Sequence, residues 1–271
     1  MSCAISLPMF RFSMIDSPLP GLVVAFLGLV TTAAAFANEA LIKGVCVLPM
    51  PAMDLRHCDF SGKKLVGANL RGSDLSGVNL SNADLSRADL RGARLVKADL
   101  RWVKLIEAQL QDADLSKADM FHVVADDANF DDARLFKANL FGALLNGIHA
   151  RRAEFTQAYM KDVELEGANL SDARLRRVNL LRMVAMDAVF RGADLSCSRL
   201  TGAAAAGADF TDARLVRAKL NGADLENAQF GGADTKGSDF SNATFDTAVD
   251  FSGVLNPPTT MGDRMPAIPD R

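Results

Sequence analysis

From Leu55 to Phe245 nearly every fifth residue is large and apolar, and this period excludes the two ordinary ways in which a chain builds a core. The 39 positions hold 24 Leu, 8 Phe and 2 Met, the rest being Ala125, Ala150, Ala185, Ala205 and Thr235. Two residues before each centre the chain is small: the 37 positions from Ala68 to Ala248 are 27 Ala, 5 Val and 3 Ser, plus Ile148 and Met183. The other three places in each block are mostly polar, as in ANLRG, ADLSR, ARLVK and ADLEN. An amphipathic helix needs a period of about 3.6 and a half-buried strand one of about 2, so neither keeps these positions on one side. A coil of four blocks per turn does, with each centre and its preceding small residue turned inward. Repetition at a fixed period with neighbour-on-neighbour stacking is the mark of a solenoid.

Two internal regularities test that winding. Stepping by 20 from the residue before one centre gives Asp74, Arg94, Asp114, Arg134, Glu154, Arg174, Asp194, Arg214 and Asp234, with signs alternating throughout. Coils spaced like paired strands, about 4.8 Å apart, place each charge between two opposite ones. Exposed pairs contribute about 0.2–1 kcal/mol and are screened by salt, so such a ladder fixes stacking register more than it stabilises. Each undersized centre is also followed one block later by Phe, as in Ala125 and Phe130 or Ala205 and Phe210. In a close-packed interior an oversized ring needs a vacancy beside it.

The repeat resembles the pentapeptide-repeat family, whose motif A(D/N)LXX runs over residues 53–253. The resemblance implies an all-β fold, a right-handed quadrilateral β-helix, here with about ten 20-residue coils. At the spacing of paired strands that is a rod of about 48 Å. Some family members implicated in protection of type II topoisomerases are thought to imitate duplex DNA through a strongly negative rod. A cytoplasmic role of that kind is the alternative to the reading developed below. This chain departs from it in its sign-cancelling ladder and in a positive column of Lys97, Lys117, Lys137, Arg177 and Arg217.

Outside the repeat the chain changes character. Residues 21–35 form an apolar run of 15, short for a membrane span, followed by Ala35-Phe36-Ala37 and then the polar Asn38-Glu39. This reads as a secretory leader over residues 1–37, cut after Ala37, against a buried N-terminal helix or a retained anchor. It places the protein in a bacterial periplasm or outside the cell, with the membrane engaged only through the leader. Residues 38–52 are the expected N-terminal cap, 53–255 the coil, and 256–271 a flexible Pro-rich tail. Cys46 and Cys58 are disulfide candidates that would clamp the cap in an oxidising compartment. With His57 they are one ligand short of a closed zinc site, and no metal or cofactor is expected.

The near balance of 30 basic and 33 acidic residues gives no global pull toward nucleic acid, and the positive column lacks interleaved aromatics. No nucleic-acid partner is expected. Trp102, Phe121, Val124, Phe141, Leu144, Leu181 and Val184, with His122 among them, gather at outward positions around one side of the middle coils. Two readings stand: a contact surface for a protein partner, or a distorted coil in which Val124 and Val184 turn inward beside Ala125 and Ala185. Phe240, Phe245, Phe251 and Leu255 either plug the last coil or meet a second chain there; the resemblance makes such a homodimer plausible. His57, His122 and His149 fall on different sides with no Cys, Ser or carboxylate arranged around them, and the Asp residues follow the motif. No catalytic residue is assigned, and the chain reads as a non-enzymatic interaction module.

Overall fold

The computed structural model describes residues 41–247 and 249–255 and the backbone of 260–261. The expected leader, residues 38–40 of the cap and most of the tail lie outside the described residues. From residue 53 onward the chain winds into a right-handed quadrilateral β-helix in which residues 20 apart lie side by side in parallel pairs, from Asp54↔Asp74 to Asp224↔Thr244. Four faces result, carrying Asp54 to Asp234 (the ladder face), Asp59 to Asp239 (second), Lys64 to Thr244 (third) and Asn69 to Asp250 (fourth). No helix among the described residues is long and apolar enough to cross a membrane.

Backbone hydrogen bonding explains the motif. In the block centred on Leu80, the Leu80 amide donates to Asp99 of the next coil at 2.8 Å and the Asn82 amide to Arg101 at 2.9 Å. The Ala83 amide closes the turn onto the Leu80 carbonyl at 2.9 Å, and the Asp84 amide donates back to Lys63 of the previous coil at 2.9 Å. Only the amide just after the centre is left over, and Asn79 takes it: the Ser81 amide donates to the Asn79 side chain at 3.1 Å. The same contact recurs at Asp59, Asp74, Asp84, Asp114 and Asn169. The Asp or Asn of the motif therefore caps the one donor that the ladder leaves unsatisfied.

Every corner from Gly62 to Asn242 turns on a residue in the left-handed region; among the described residues 15 glycines and 24 others have positive φ. For a side chain other than glycine this conformation costs roughly 1–2 kcal/mol. Inside, the centres and the small residues before them form one continuous buried core. The small residue is Ala because it sits in the crook of the turn; where Ser replaces it, the hydroxyl is bonded, as Ser73 Oγ donating to Met50 O at 3.1 Å. Phe190, Phe210, Phe230 and Phe251 stack through successive coils with centroids 5.0, 5.1 and 5.0 Å apart. Ala185 and Ala205 fill the adjoining face of the coils that carry Phe190 and Phe210, and all four are fully buried.

Both ends are closed by chain outside the regular register. At the N-terminus β1 (Ile42–Lys43) pairs in parallel with β2 (Met53–Asp54), and Cys46 is bonded to Cys58 with Cα atoms 5.5 Å apart. At the other end the register slips by one residue, since Gln229 pairs with Asp250, and Val249, Asp250 and Phe251 take the roles that the period assigns to 248, 249 and 250. The tail expected from residue 256 is not irregular throughout. β4 (Thr260–Met261) pairs with β3 (Asp239–Phe240) because the last coil otherwise leaves a strand edge without partners. Replacing Ala205 with Leu is expected to overpack the core beside Phe210 and lower unfolding free energy by roughly 1–3 kcal/mol in denaturant titration.

Candidate functional site

Turn positions are outward and carry no packing duty, so a large apolar side chain there needs another reason. Trp102 and His122 occupy successive left-handed corner positions between the second and third faces, with φ of 61° and 50°. The indole stacks on the imidazole with centroids 4.4 Å apart. The next residue in this column is Gly142, where an added Cβ would lie 2.5 Å from His122 Cε1, so the ring rests on bare backbone. Beside them Phe121 and Phe141 stack at 5.5 Å, Phe121 meets Trp102 edge-on at 5.4 Å, and Phe141 stacks on Tyr159 at 6.0 Å. The result is one aromatic corner of five rings. Trp102 remains 53% exposed and Tyr159 41% exposed, so the cluster faces solvent rather than the core.

Val124 and Leu144 extend this surface onto the third face. They are paired with each other in regular register, and the centre Ala125 stays fully buried beneath them. Val184 likewise pairs with Glu164 and Ala204, so the coil is not distorted at either valine and both point outward. Leu181 and Val184 are nonetheless a separate group, because the intervening coil carries Lys161 and Glu164. Tyr159 escaped the sequence reading; it lies on the second face, and the signal that locates it is its spacing of 18 residues from Phe141, one coil on and one step back across the corner.

Charge borders the corner on both sides. Below, Arg101 reaches Asp99 at 2.6 Å and Asp119 at 3.8 Å; above, Arg182 reaches Asp162 at 2.7 Å, and Lys161 Nζ sits 5.7 Å from the Phe141 centroid. Hydrogen bonding from Arg101 holds the Asp99 carboxyl below its ordinary range, and Arg182 does the same for Asp162. An apolar, aromatic-rich centre within a charged rim is the composition of a protein-binding patch.

The other predicted positions are placed as follows. Asp74, Arg94, Asp114, Arg134, Glu154, Arg174, Asp194, Arg214 and Asp234 form one unbroken column of paired residues. Arg174 reaches Glu154 at 3.5 Å, but Asp74 and Asp194 are met by Arg56 and Arg176 from flanking positions at 3.6 and 3.7 Å. At the C-terminal end Phe240 and Phe251 are buried and Phe245 is partly so. Phe240 touches Phe230 and Phe245, and Phe245 touches Phe251, so these rings close the interior while Leu255 stays exposed. A recess of about 440 Å³ lies among Glu154, Thr156, Gln157, Arg174, Arg176 and Arg177, where the Thr156 amide donates to the Glu154 carboxylate at 2.9 Å. Cys46, His57 and Cys58 converge as potential metal ligands, but both sulfurs are committed to the disulfide.

Strain and stacking oppose each other at Trp102. Relief of its left-handed backbone is worth roughly 1–2 kcal/mol, less the roughly 0.5–1 kcal/mol of chain entropy that glycine gives up, and the lost ring contacts roughly 0.5–1.5 kcal/mol. Trp102→Gly is therefore expected to shift unfolding free energy by less than about 1 kcal/mol, measured by thermal or denaturant unfolding.

A family model described as pentapeptide repeats matches in eight copies across residues 54–92, 83–120, 138–177, 168–204, 186–222 and 223–254. Among solved structures, HetL from the cyanobacterium Nostoc sp. strain PCC 7120, described as involved in heterocyst differentiation regulation, is 26% identical. That match covers 74% of this chain and 90% of HetL, with a TM-score of 0.46. Full-length QnrB1, described as a plasmid-mediated fluoroquinolone resistance protein, is 18% identical over 73% of this chain and 92% of its own, with a TM-score of 0.42. A pentapeptide repeat protein from the thylakoid lumen of Arabidopsis thaliana is 28% identical over 40% of this chain and 68% of its own, with a TM-score of 0.26. No curated protein matches the sequence.

Proposed function

The chain belongs to the pentapeptide repeat family, and from that premise we propose that it is an exported, non-enzymatic module that binds a protein of the bacterial periplasm or cell exterior through its aromatic corner. The observation that carries this reading is the cluster of Trp102, Phe121, His122, Phe141 and Tyr159 at positions where the coil has no structural use for them. Rings that serve the core are at the centres; these five stand outside it. Tyr and Trp are the residues that dominate binding energy at protein interfaces, and the half-exposed Trp102 and Tyr159 mark the two ends of the patch. The mechanism is presentation of a rigid, preorganised surface, which lowers the ordering cost of association.

Two features support export. The apolar run and Ala35-Phe36-Ala37 have the pattern of a secretory leader. The Cys46–Cys58 bond is suited to an oxidising compartment. The alternative, imitation of DNA toward a topoisomerase, sits poorly with a ladder that alternates in sign and a corner that carries Lys97, Lys117, Lys137, Arg177 and Arg217.

The test compares the parent with the double variant Phe121→Ser and Phe141→Ser in capture of proteins from a periplasmic extract. The variant is expected to keep its cooperative unfolding, losing about 1–2 kcal/mol of ring contacts, and to lose at least about tenfold in recovery of the partner. Equal recovery by the two proteins would refute the reading.

A further inference from the structure

Ion pairing is distributed unevenly around the rod. The corner between the second and third faces is neutralised internally by Arg101 with Asp99 and Arg182 with Asp162. The corner between the fourth and ladder faces is neutralised by Arg151 with Asp131 at 2.9 Å and Arg152 with Asp132 at 2.6 Å. The remaining two corners, diagonally opposite each other, behave differently.

The corner between the ladder and second faces carries Lys97, Lys117, Lys137, Arg176, Arg177, Arg217 and Lys236 and holds no carboxylate anywhere along it. The corner between the third and fourth faces carries Glu107, Asp126, Asp127, Glu166, Asp187 and Glu226, with Arg87 as its single cation. Among the described residues, Lys97, Lys117, Lys137, Arg177 and Arg217 take part in none of the ion pairs found, and neither do those six acids. Glu107 has Lys104 beside it on the third face, but the rest of the acidic ridge has no cation on its flanks. Beside it from Val124 to Ala204 on the third face and from Asn129 to Asp209 on the fourth, no Lys or Arg occurs. On the second-face flank of the basic ridge, Asp99 and Asp119 are turned to Arg101; on the ladder-face flank the carboxylates Asp114, Glu154 and Asp194 alternate with Arg94, Arg134, Arg174 and Arg214, and Asp194 meets Arg176 at 3.7 Å. Farther along the second-face flank stand Arg199 and Lys219, which add to the positive charge.

The two ridges match in charge at four levels. Lys97 lies half a coil before Glu107, Lys117 before Asp127, Arg177 before Asp187 and Arg217 before Glu226. Ser196 and Cys197, a neutral level of one ridge, stand at the level of the neutral Ala206 and Gly207 on the other. Because both ridges belong to the same winding, their spacing is identical by construction. A sideways translation of the rod along its diagonal therefore sets cation against anion at these four levels, while Lys137 and Glu166 meet neutral residues.

We propose that the occupant of each ridge is a second copy of this chain, lying parallel, with the basic ridge of one molecule on the acidic ridge of the next. The contact is heterologous and leaves an open ridge of each sign at either side, so it generates rows of rods rather than a closed dimer. A formal net charge of −3 leaves little global repulsion to oppose it. This association uses neither the aromatic corner nor the C-terminal end and stands independently of the function proposed above.

The experiment is sedimentation velocity of the full chain at low salt and at several hundred millimolar NaCl. Association that grows with protein concentration is expected at low salt, weakening by at least about tenfold at high salt as screening shortens to a few ångströms. Lys117→Glu with Arg177→Glu and Arg217→Glu is expected to abolish it. Asp127→Lys with Asp187→Lys and Glu226→Lys is expected to do the same, and mixing these two triple variants to restore it. That rescue is not available to variants that merely fold badly. Phe121→Ser with Phe141→Ser is expected to leave it unchanged. A monomer under all conditions, a salt-insensitive oligomer, or a mixture that stays monomeric would overturn the proposal.

Discussion

Everything in this molecule depends on a backbone ladder in which an amide on each face donates to the coil one turn away. That ladder repeats every 20 residues, as when Leu55 donates to Asp74 and Leu75 to Arg94 at 2.9 and 2.7 Å. No single bond is worth much, roughly 0.5–1.5 kcal/mol, but an unpaired buried amide costs more than a paired one gains. The chain is thus held to a register, not merely to a hydrophobic pattern. Within it the Ala before each centre allows the tight turn, the left-handed corner closes it, and Asp or Asn caps the leftover amide. The alternative to that capping residue also appears: the Arg151 amide is taken at 2.8 Å by Asp131 from the previous coil.

Register converts linear sequence into surface. Residues 20 apart become neighbours in a column, so a few substitutions at the same place in successive coils build a stripe without disturbing the core. The aromatic corner is such a construction. Trp102 and His122 are two steps of one column, Phe121 and Phe141 two steps of the next, and Tyr159 joins diagonally. Gly142 belongs to the same device, since a side chain there would displace the imidazole. The charged ridges are built by the same means over a longer stretch. A rod of this kind can vary its turn side chains without disturbing the centres and small residues that fill the interior.

Much of this was legible before any coordinates. The period, the inward set and the four-block coil follow from the positions of Leu, Phe and Ala, and the ladder column is found where stepping by 20 puts it. What escaped has physical causes. The one-residue slip before Val249 is invisible because Phe245 and Phe251 are both apolar, and either register satisfies a hydrophobic count. β4 was missed because two residues carry no periodicity; its pairing follows from an exposed strand edge, a property of the folded coil alone. Tyr159 was missed because its neighbours lie across a corner, at a spacing of 18 rather than 20. The two readings of the apolar side were separable only by seeing that Val124 and Val184 keep their pairing partners.

The central claim is that register in steps of five, rather than the identity of any one face, holds the rod together. Thermal unfolding of two deletions in the middle of the rod tests it directly. Removing the whole block of residues 171–175 moves every later block to the next face, where an equivalent core and ladder receive it. The account predicts a single cooperative transition within several degrees of the parent. Removing Asp172 alone shifts every later centre out of the interior, and the account predicts loss of that transition. Comparable stability of the two deletions, or tolerance of the single deletion with collapse of the larger one, would contradict it.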